Sequence, residues 1–348
     1  ALPEELYNIT LVLLDSDNEY AYRLKKNVNI VQLTFNSSFA KSLVSMYAFP
    51  AKVLKKLSVN SFIAYYDFIS NCVTNVFEKT YDIAIDFYGY GSFVTAFLAT
   101  KIQAKKKATW LHDEKPYWMK SVQKYLCEYD KIYGVSQAVV DAFCREYPHY
   151  KDKAAVFYNV IDIEEIKRKS EQDEIIPFKE SFNIVTVGRL TEQKGYDIAI
   201  KAASILKKRK INFAWYAIGG GRDEKKLKKL VEKYCLENQF VFLGRKKNPY
   251  PYMKHCDLYV QPSRHEGYVI TLVEARALCL PILSSDIPSA REQIQDGING
   301  YVAELSAEDL ADKIEYLYNN PSQRKKTVEY LKEHPIDFST ELLKLEII

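Results

Sequence analysis

Glycine and proline are both scarce, at 12 each in 348 residues, which excludes a collagenous or low-complexity chain. The six cysteines include no Cys-x-x-Cys pair, so a zinc knuckle has no ligand framework. A disulfide scaffold serves small secreted cores, and in a chain this long the thiols read as reduced and cytosolic. Charge of one sign is also lacking. Lys and Arg number 49 against 45 Asp and Glu, a net +4, too little for a uniformly basic face, so nucleic acid is not an expected partner. No run of about 18 apolar residues occurs, and no charged head followed by a short apolar segment opens the chain. The expected location is the cytoplasm, with peripheral attachment to the inner face of the cell membrane as the one membrane option.

What the chain does have is 47% apolar residues spread over a length suited to two domains of roughly 150 residues each. Short runs rich in β-branched residues recur, each followed by helical spacing: Ile9 to Leu14, Val28 to Leu33, Asp82 to Phe87, Ala108 to His112, Lys131 to Val135 and Ala155 to Tyr158. After a charged stretch the pattern restarts at Asn183 to Val187, Phe213 to Ile218, Phe240 to Leu243, Leu258 to Gln261 and Pro281 to Ser284. Strands alternating with helices predict α/β domains with parallel sheets covered on both faces. The expected division is a first Rossmann-like domain over 1–162, a linker over 163–180, a second domain over 181–330, and a C-terminal helix in 331–348 that packs back on the first. Ala1 to Leu6 reads as the tail of a helix with no strand before it, so the first domain is expected to lack its opening strand and Gly-rich turn.

The densest chemistry is Ser263-Arg264-His265-Glu266-Gly267-Tyr268-Val269-Ile270-Thr271-Leu272-Val273-Glu274, directly after a predicted strand. A helix beginning near Ile270 aims free backbone N–H groups and a positive dipole end at its neighbour, an arrangement suited to phosphate. Glu274 lies too deep to cap that helix and suits a pair of hydroxyls such as a ribose diol; Glu266, in the loop, suits a sugar. The bland alternative is a capping box of Ser263 and Glu266 with Glu274 on a solvated face. Gly188-Arg189-Leu190, followed by Lys194 and Gly195, ends the first strand of the second domain on the rim where open α/β sheets bind ligands, and its two cations suit a diphosphate. Gly219-Gly220-Gly221 marks a third rim loop, without the Gly-x-Gly-x-x-Gly spacing of a nicotinamide site.

Together Gly188-Arg189-Leu190, Lys194-Gly195, the Gly219 to Gly221 loop, Phe242-Leu243-Gly244 with Asn248-Pro249-Tyr250, and Glu266 and Glu274 with seven residues between resemble the retaining glycosyltransferases of family 4, which have the GT-B fold of two facing Rossmann-like domains. The resemblance runs from about Leu6 to the end, through Val135-Ser136, Tyr158-Asn159, Arg291-Glu292 and Asp296-Gly297. It implies a nucleotide-sugar donor, a UDP-sugar in the first instance, and no cofactor. It implies that Arg189 and Lys194 neutralise the diphosphate, that Glu274 holds the ribose, and that Glu266 contacts the transferred hexose. Gly188, Gly219, Gly220, Gly267 and the amides of Ile270 and Thr271 would line the donor. His112, in Trp110-Leu111-His112-Asp113, matches a family position beside the reacting sugar, and the Gly244 to Tyr252 loop matches the part bordering the base. The sequence departs from the pattern at Val269 and Cys279, where glycines are common.

The resemblance further implies retention of configuration and a glycan or lipid-linked saccharide acceptor. Asp15-Ser16-Asp17 is the only Asp-x-Asp after a strand. With a cationic rim and a helix N-terminus at hand, a metal is not expected. Residues 41–107 hold nine lysines against four carboxylates, interleaved with Phe49, Leu54, Leu57, Phe62, Tyr65 and Tyr66, and either dock on an anionic membrane surface or form a solvated face over core aromatics. Two other functions compete: a sugar-nucleotide epimerase on the same architecture, and a catalytically silent scaffold that binds membrane or partners.

Overall fold

The computed structural model describes residues 7–14, 28–38, 42, 59–75, 77, 79–89, 92–172, 178 and 181–344. Two compact units emerge. The first comprises Ala1–Gly134, Val140–Phe157 and Thr340–Ile348, the second Val135–Val139 and Tyr158–Ser339. Both are α/β with parallel sheets, the class expected from the alternation of strands and helices.

The first unit holds β1 (Thr10–Leu13) paired with β2 (Asn29–Gln32), and a four-stranded sheet in the order β3 (Tyr81–Asp86), β4 (Ala104–Leu111), β5 (Lys131–Gly134), β6 (Ala154–Val156), all parallel. No ladder joins β1 or β2 to that sheet among the described residues. Its centre is aromatic. Trp110 on β4 is 1% exposed, with ring centroids of Phe87, Tyr133 and Phe157 at 5.4, 4.8 and 5.2 Å. At the chain's other end Lys344 Nζ donates to the carbonyl of Val156 at 3.1 Å and pairs with Glu341 at 2.8 Å, which ties the last described helix, Ser339–Leu343, to β6.

Several lysines of the basic segment are engaged within the unit: Lys101 donates to Asn71, Lys105 pairs with Asp82, Lys106 with Asp130, and Lys107 donates to the Ala99 carbonyl. Tyr65 and Tyr66 are half-buried, with burial pushing both phenols up. Lys41, Lys52, Lys55, Lys56, Phe49, Leu54 and Leu57, like Asp15 and Asp17, lie outside the described residues.

The second unit is a six-stranded parallel sheet in the order β12 (Tyr301–Ala303), β11 (Ile282–Ser285), β10 (Leu258–Gln261), β7 (Phe182–Val187), β8 (Phe213–Ile218), β9 (Phe240–Gly244). Helices on both faces explain why β8 is buried at every position. Trp215 and Ala217 face one core with Ile184 and Val260, and Tyr216 and Ile218 face the other with Val185 and Tyr259. The chain leaves β7 in one direction through β8 and β9, then returns to β10 and builds outward through β11 and β12. The carboxyl ends of β7 and β10 therefore diverge at the point where strand order reverses, the usual ligand crevice of an open α/β sheet.

Two details differ from the sequence expectation. Residues 163–180 are not all linker, because Ile163–Ser170 is a helix whose N-cap Asp162 accepts from the Glu165 amide at 2.8 Å. The strand Tyr301–Ala303 was not anticipated, since three residues are too few to show a period.

Candidate functional site

Glycine decides how the ends of β7 and β10 meet. Gly195 has φ +67°, and a Cβ there would lie 1.8 Å from the Pro262 carbonyl oxygen, so only glycine lets the turn after β7 rest on the loop after β10. That contact places Lys194 beside Glu266, Nζ to Oε1 at 2.7 Å, with the two side chains only 16% and 8% exposed. The loops are stitched further. Arg264 N donates to the Gln193 carbonyl at 2.8 Å, Gln193 Nε2 donates to the His265 carbonyl at 3.0 Å, and the Arg264 guanidinium grips Asp197 through two bonds of 2.8 and 2.7 Å. Arg264 in turn holds the Asp197 carboxyl below its ordinary range against the opposing effect of burial.

Three donors converge on one oxygen of Glu266: Lys194, the Ser263 hydroxyl at 2.6 Å and Gln261 Nε2 at 3.4 Å. The capping-box alternative does not hold. The helix starts at Ile270 with Val269 as its N-cap, and Ser263 binds the Glu266 side chain within the loop instead. Ile270 is 42% exposed at the first helical position, next to Thr271, whose hydroxyl donates to Gln261 Oε1 at 3.0 Å. Gly267 lies in the same loop, between Glu266 and the helix.

Glu274 stands one turn into that helix, half-buried, and accepts from the Tyr250 hydroxyl at 2.9 Å. Burial raises its carboxyl above the ordinary value, and the Tyr250 bond offsets this only in part. Tyr250 opens the short helix Tyr250–Lys254 after β9, and Asn248 in the preceding loop is pinned to the Ile163–Ser170 helix through the Lys169 carbonyl at 2.8 Å. The strand ends at β7, β9 and β10 thus bring Lys194, Tyr250, Glu266, Thr271 and Glu274 onto one rim.

Arg189 differs from its expected partner. It is exposed, and no ion pair is recorded for it among the described residues, whereas Lys194 is already committed to Glu266. Gly188 lies against the Lys194 stem, at ordinary contact distance for a Cβ. Gly219 and Gly221 have a packing reason that sequence reasoning missed: a Cβ at Gly219, φ +147°, would meet the Gly188 carbonyl at 1.9 Å, and one at Gly221 the Leu190 carbonyl at 2.3 Å. Gly220 accepts from the Leu190 amide at 3.1 Å. The glycine run holds the β8 loop flat against the Arg189 loop.

His112 belongs to the first unit, at the end of β4. Its Nε2 is 2.7 Å from the Phe87 carbonyl, and its ring meets that of Phe87 edge-on at 5.5 Å. Beneath this loop Asp86 is fully buried and accepts from Gly89 N at 3.0 Å, Thr95 Oγ1 at 2.6 Å and Thr109 Oγ1 at 3.0 Å. Burial nevertheless raises its carboxyl. Among the described residues no three His, Cys, Asp or Glu side chains gather into a metal-binding cluster, and no helix is long and apolar enough to cross a membrane.

Sequence reasoning named both carboxylates but gave no role to Gln261 and Tyr250, which bind them, or to Arg264, which holds Asp197 and so fixes the loop that carries Glu266. Only the placement of Gln261 as a polar residue at the end of an otherwise apolar strand signalled it in advance.

Residues 167–334 match the family described as Glycosyl transferases group 1. Curated relatives include an uncharacterized glycosyltransferase of Methanocaldococcus jannaschii, 33% identical over 172 residues, covering 48% of this chain and 40% of the relative. Another is the N-acetylgalactosamine-N,N'-diacetylbacillosaminyl-diphospho-undecaprenol 4-alpha-N-acetylgalactosaminyltransferase of Campylobacter jejuni, 30% identical over 184 residues, covering 50% and 49%. The matched part thus spans about half the length of these relatives. Among solved structures, the Anabaena protein HepE in complex with UDP and glucose superposes with a TM-score of 0.71 at 18% identity over 97% of this chain and 90% of that one, which establishes the shared fold.

Proposed function

We propose that the protein is a retaining glycosyltransferase that moves a hexose-type sugar from a nucleoside-diphosphate donor, a UDP-sugar, to a glycan or lipid-linked acceptor, without a metal ion. The observation that carries this reading is the pair of carboxylates at the end of β10, each committed to a different neighbour. Glu266 is pinned by a lysine and two neutral donors, and Glu274 is desolvated and held by a tyrosine hydroxyl. Names of relatives support it: an undecaprenol-diphosphate-linked acceptor in one, and colanic acid biosynthesis in another.

The chemistry follows from the groups present. Arg189, exposed on the rim, meets the diphosphate, and the amides that open the helix at Ile270 add their dipole. As the bond from the anomeric carbon to the β-phosphate oxygen breaks, negative charge grows on that oxygen, and these groups stabilise it with no reorganisation. Glu266, one oxygen saturated by Lys194, Ser263 and Gln261, is a fixed acceptor for a sugar hydroxyl and a poor nucleophile. The acceptor oxygen therefore attacks from the face the leaving group departs, its proton passes to the departing phosphate oxygen, and configuration is retained. Glu274 accepts from ribose hydroxyls.

The test is a donor-panel assay of full-length protein with and without a lipid-linked saccharide, in EDTA and in added manganese. Transfer with retained configuration and full turnover in EDTA is the expected result. Isomerisation of donor alone, or loss of rate in EDTA restored by manganese, refutes it.

A further inference from the structure

We infer that Gln261 is a positioning residue of the transfer step, a claim that rests on the reading of Glu266 as the carboxylate facing the sugar. It is fully buried at the last position of β10, and its amide is used on both sides. Oε1 accepts from the hydroxyls of Tyr259 and Thr271, the latter at 3.0 Å. Nε2 donates to Ser263 Oγ at 2.6 Å and approaches Glu266 Oε1 at 3.4 Å. Chemistry fixes this orientation. The Ser263 hydroxyl spends its single proton on the Glu266 carboxylate at 2.6 Å, so it can only accept from Gln261, and the amide must turn its N–H side there. On the far side burial holds the Tyr259 phenol well above its ordinary range, so it stays protonated and donates.

The arrangement joins three levels of the fold. Glu266 is in a loop, Thr271 in the first turn of a helix, and Gln261 on a strand at the middle of the sheet. β10 lies between β7 and β11, Gln261 is in register with Ser284 of β11, and its carbonyl is further held by the hydroxyls of Ser285 at 3.3 Å and Ser284 at 3.5 Å. Gln261 passes that rigidity to the loop carboxylate and to the helix start at once. One side chain therefore sets the separation between the group that faces the sugar and the group that faces the leaving phosphate. A residue that merely satisfied buried polar neighbours would matter to stability alone.

The experiment uses the full chain and the donor on which the wild type is active, comparing Gln261→Met, Gln261→Glu and Ser263→Ala by steady-state kinetics from pH 6 to 8.5, with thermal unfolding alongside. Loss of the amide in Gln261→Met should lower kcat about 100-fold, the scale of a 1 Å misplacement, and leave donor KM within about threefold. Ser263→Ala, which removes the intermediate hydroxyl alone, should lower kcat about tenfold with the same KM behaviour. In Gln261→Glu the ionised carboxylate opposes Glu266, whereas the protonated carboxyl restores a donor. Its activity relative to wild type should therefore rise as pH falls, while that of Gln261→Met stays flat. Wild-type kcat in Gln261→Met and Ser263→Ala, or a pH-independent ratio for Gln261→Glu, overturns the inference and leaves the proposed function standing. A wild type that turns over no nucleotide sugar overturns both.

Discussion

Replacing Lys194 by methionine isolates the contact on which the site is built. The two side chains are 16% and 8% exposed and 2.7 Å apart, so neither charge has water to fall back on. Removing one partner of a buried pair costs roughly 3 to 5 kcal/mol, because the remaining charge is stranded. Here Glu266 keeps the Ser263 and Gln261 donors, which places the loss at the low end, about 3 kcal/mol. In urea, with a slope of about 2 kcal/mol per molar for a unit of this size, that is a midpoint shift of roughly 1.5 M. Trp215 is the one tryptophan of the second unit and reports its unfolding. The discriminating variant is Lys194→Met combined with Glu266→Gln, which removes both charges. It should recover most of the loss, giving a coupling of about 2 kcal/mol in the double-mutant cycle. If Lys194→Met alone unfolds at the wild-type midpoint, or the double variant falls as far as the single, the two side chains are not paired and the reasoning about Glu266 fails with them.

Glu274→Gln should raise stability near neutrality while weakening nucleotide binding. Its folded-state carboxyl is raised above about 4.5, so the wild type loses stability as pH climbs through that elevated value, and the variant's advantage in Tm should grow from pH 4.5 to 8; a pH-independent difference refutes this. Arg189→Met should weaken UDP binding in calorimetry about 10- to 100-fold, from roughly 1.5 to 3 kcal/mol per hydrogen bond to a charged group, with unfolding unchanged because the side chain is exposed. Equal affinity would remove Arg189 from the site. Asp86→Ala should destabilise the first unit by about 2 to 4 kcal/mol, since Gly89 N and two threonine hydroxyls lose a buried acceptor, whereas Asp86→Asn, which keeps a carbonyl oxygen, should lose less than half as much in thermal unfolding. Gly195→Ala should disrupt the Lys194 loop and cost activity as well as stability, because its Cβ would collide with the Pro262 carbonyl.

Much of this protein could be read along the chain. Apolar runs such as Phe213 to Ile218 announced strands buried on both faces, because a parallel sheet between helix layers has no polar side. The helix start at Ile270 and the depth of Glu274 within it were equally local, set by spacing within one turn. What spacing could not carry was partnership across distance. Lys194 and Arg189 looked alike as rim cations, and only the fold commits one to Glu266 and leaves the other exposed, because Gly195 lets its turn lie on Pro262. The packing that requires glycine at Gly219 and Gly221 was likewise hidden until their neighbours across the sheet, the Gly188 and Leu190 carbonyls, were in place. Strand order has the same origin. The reversal between β7 and β10 brings together residues more than 70 positions apart in sequence, and it depends on which edges find hydrogen-bond partners in three dimensions, a choice that no local period encodes.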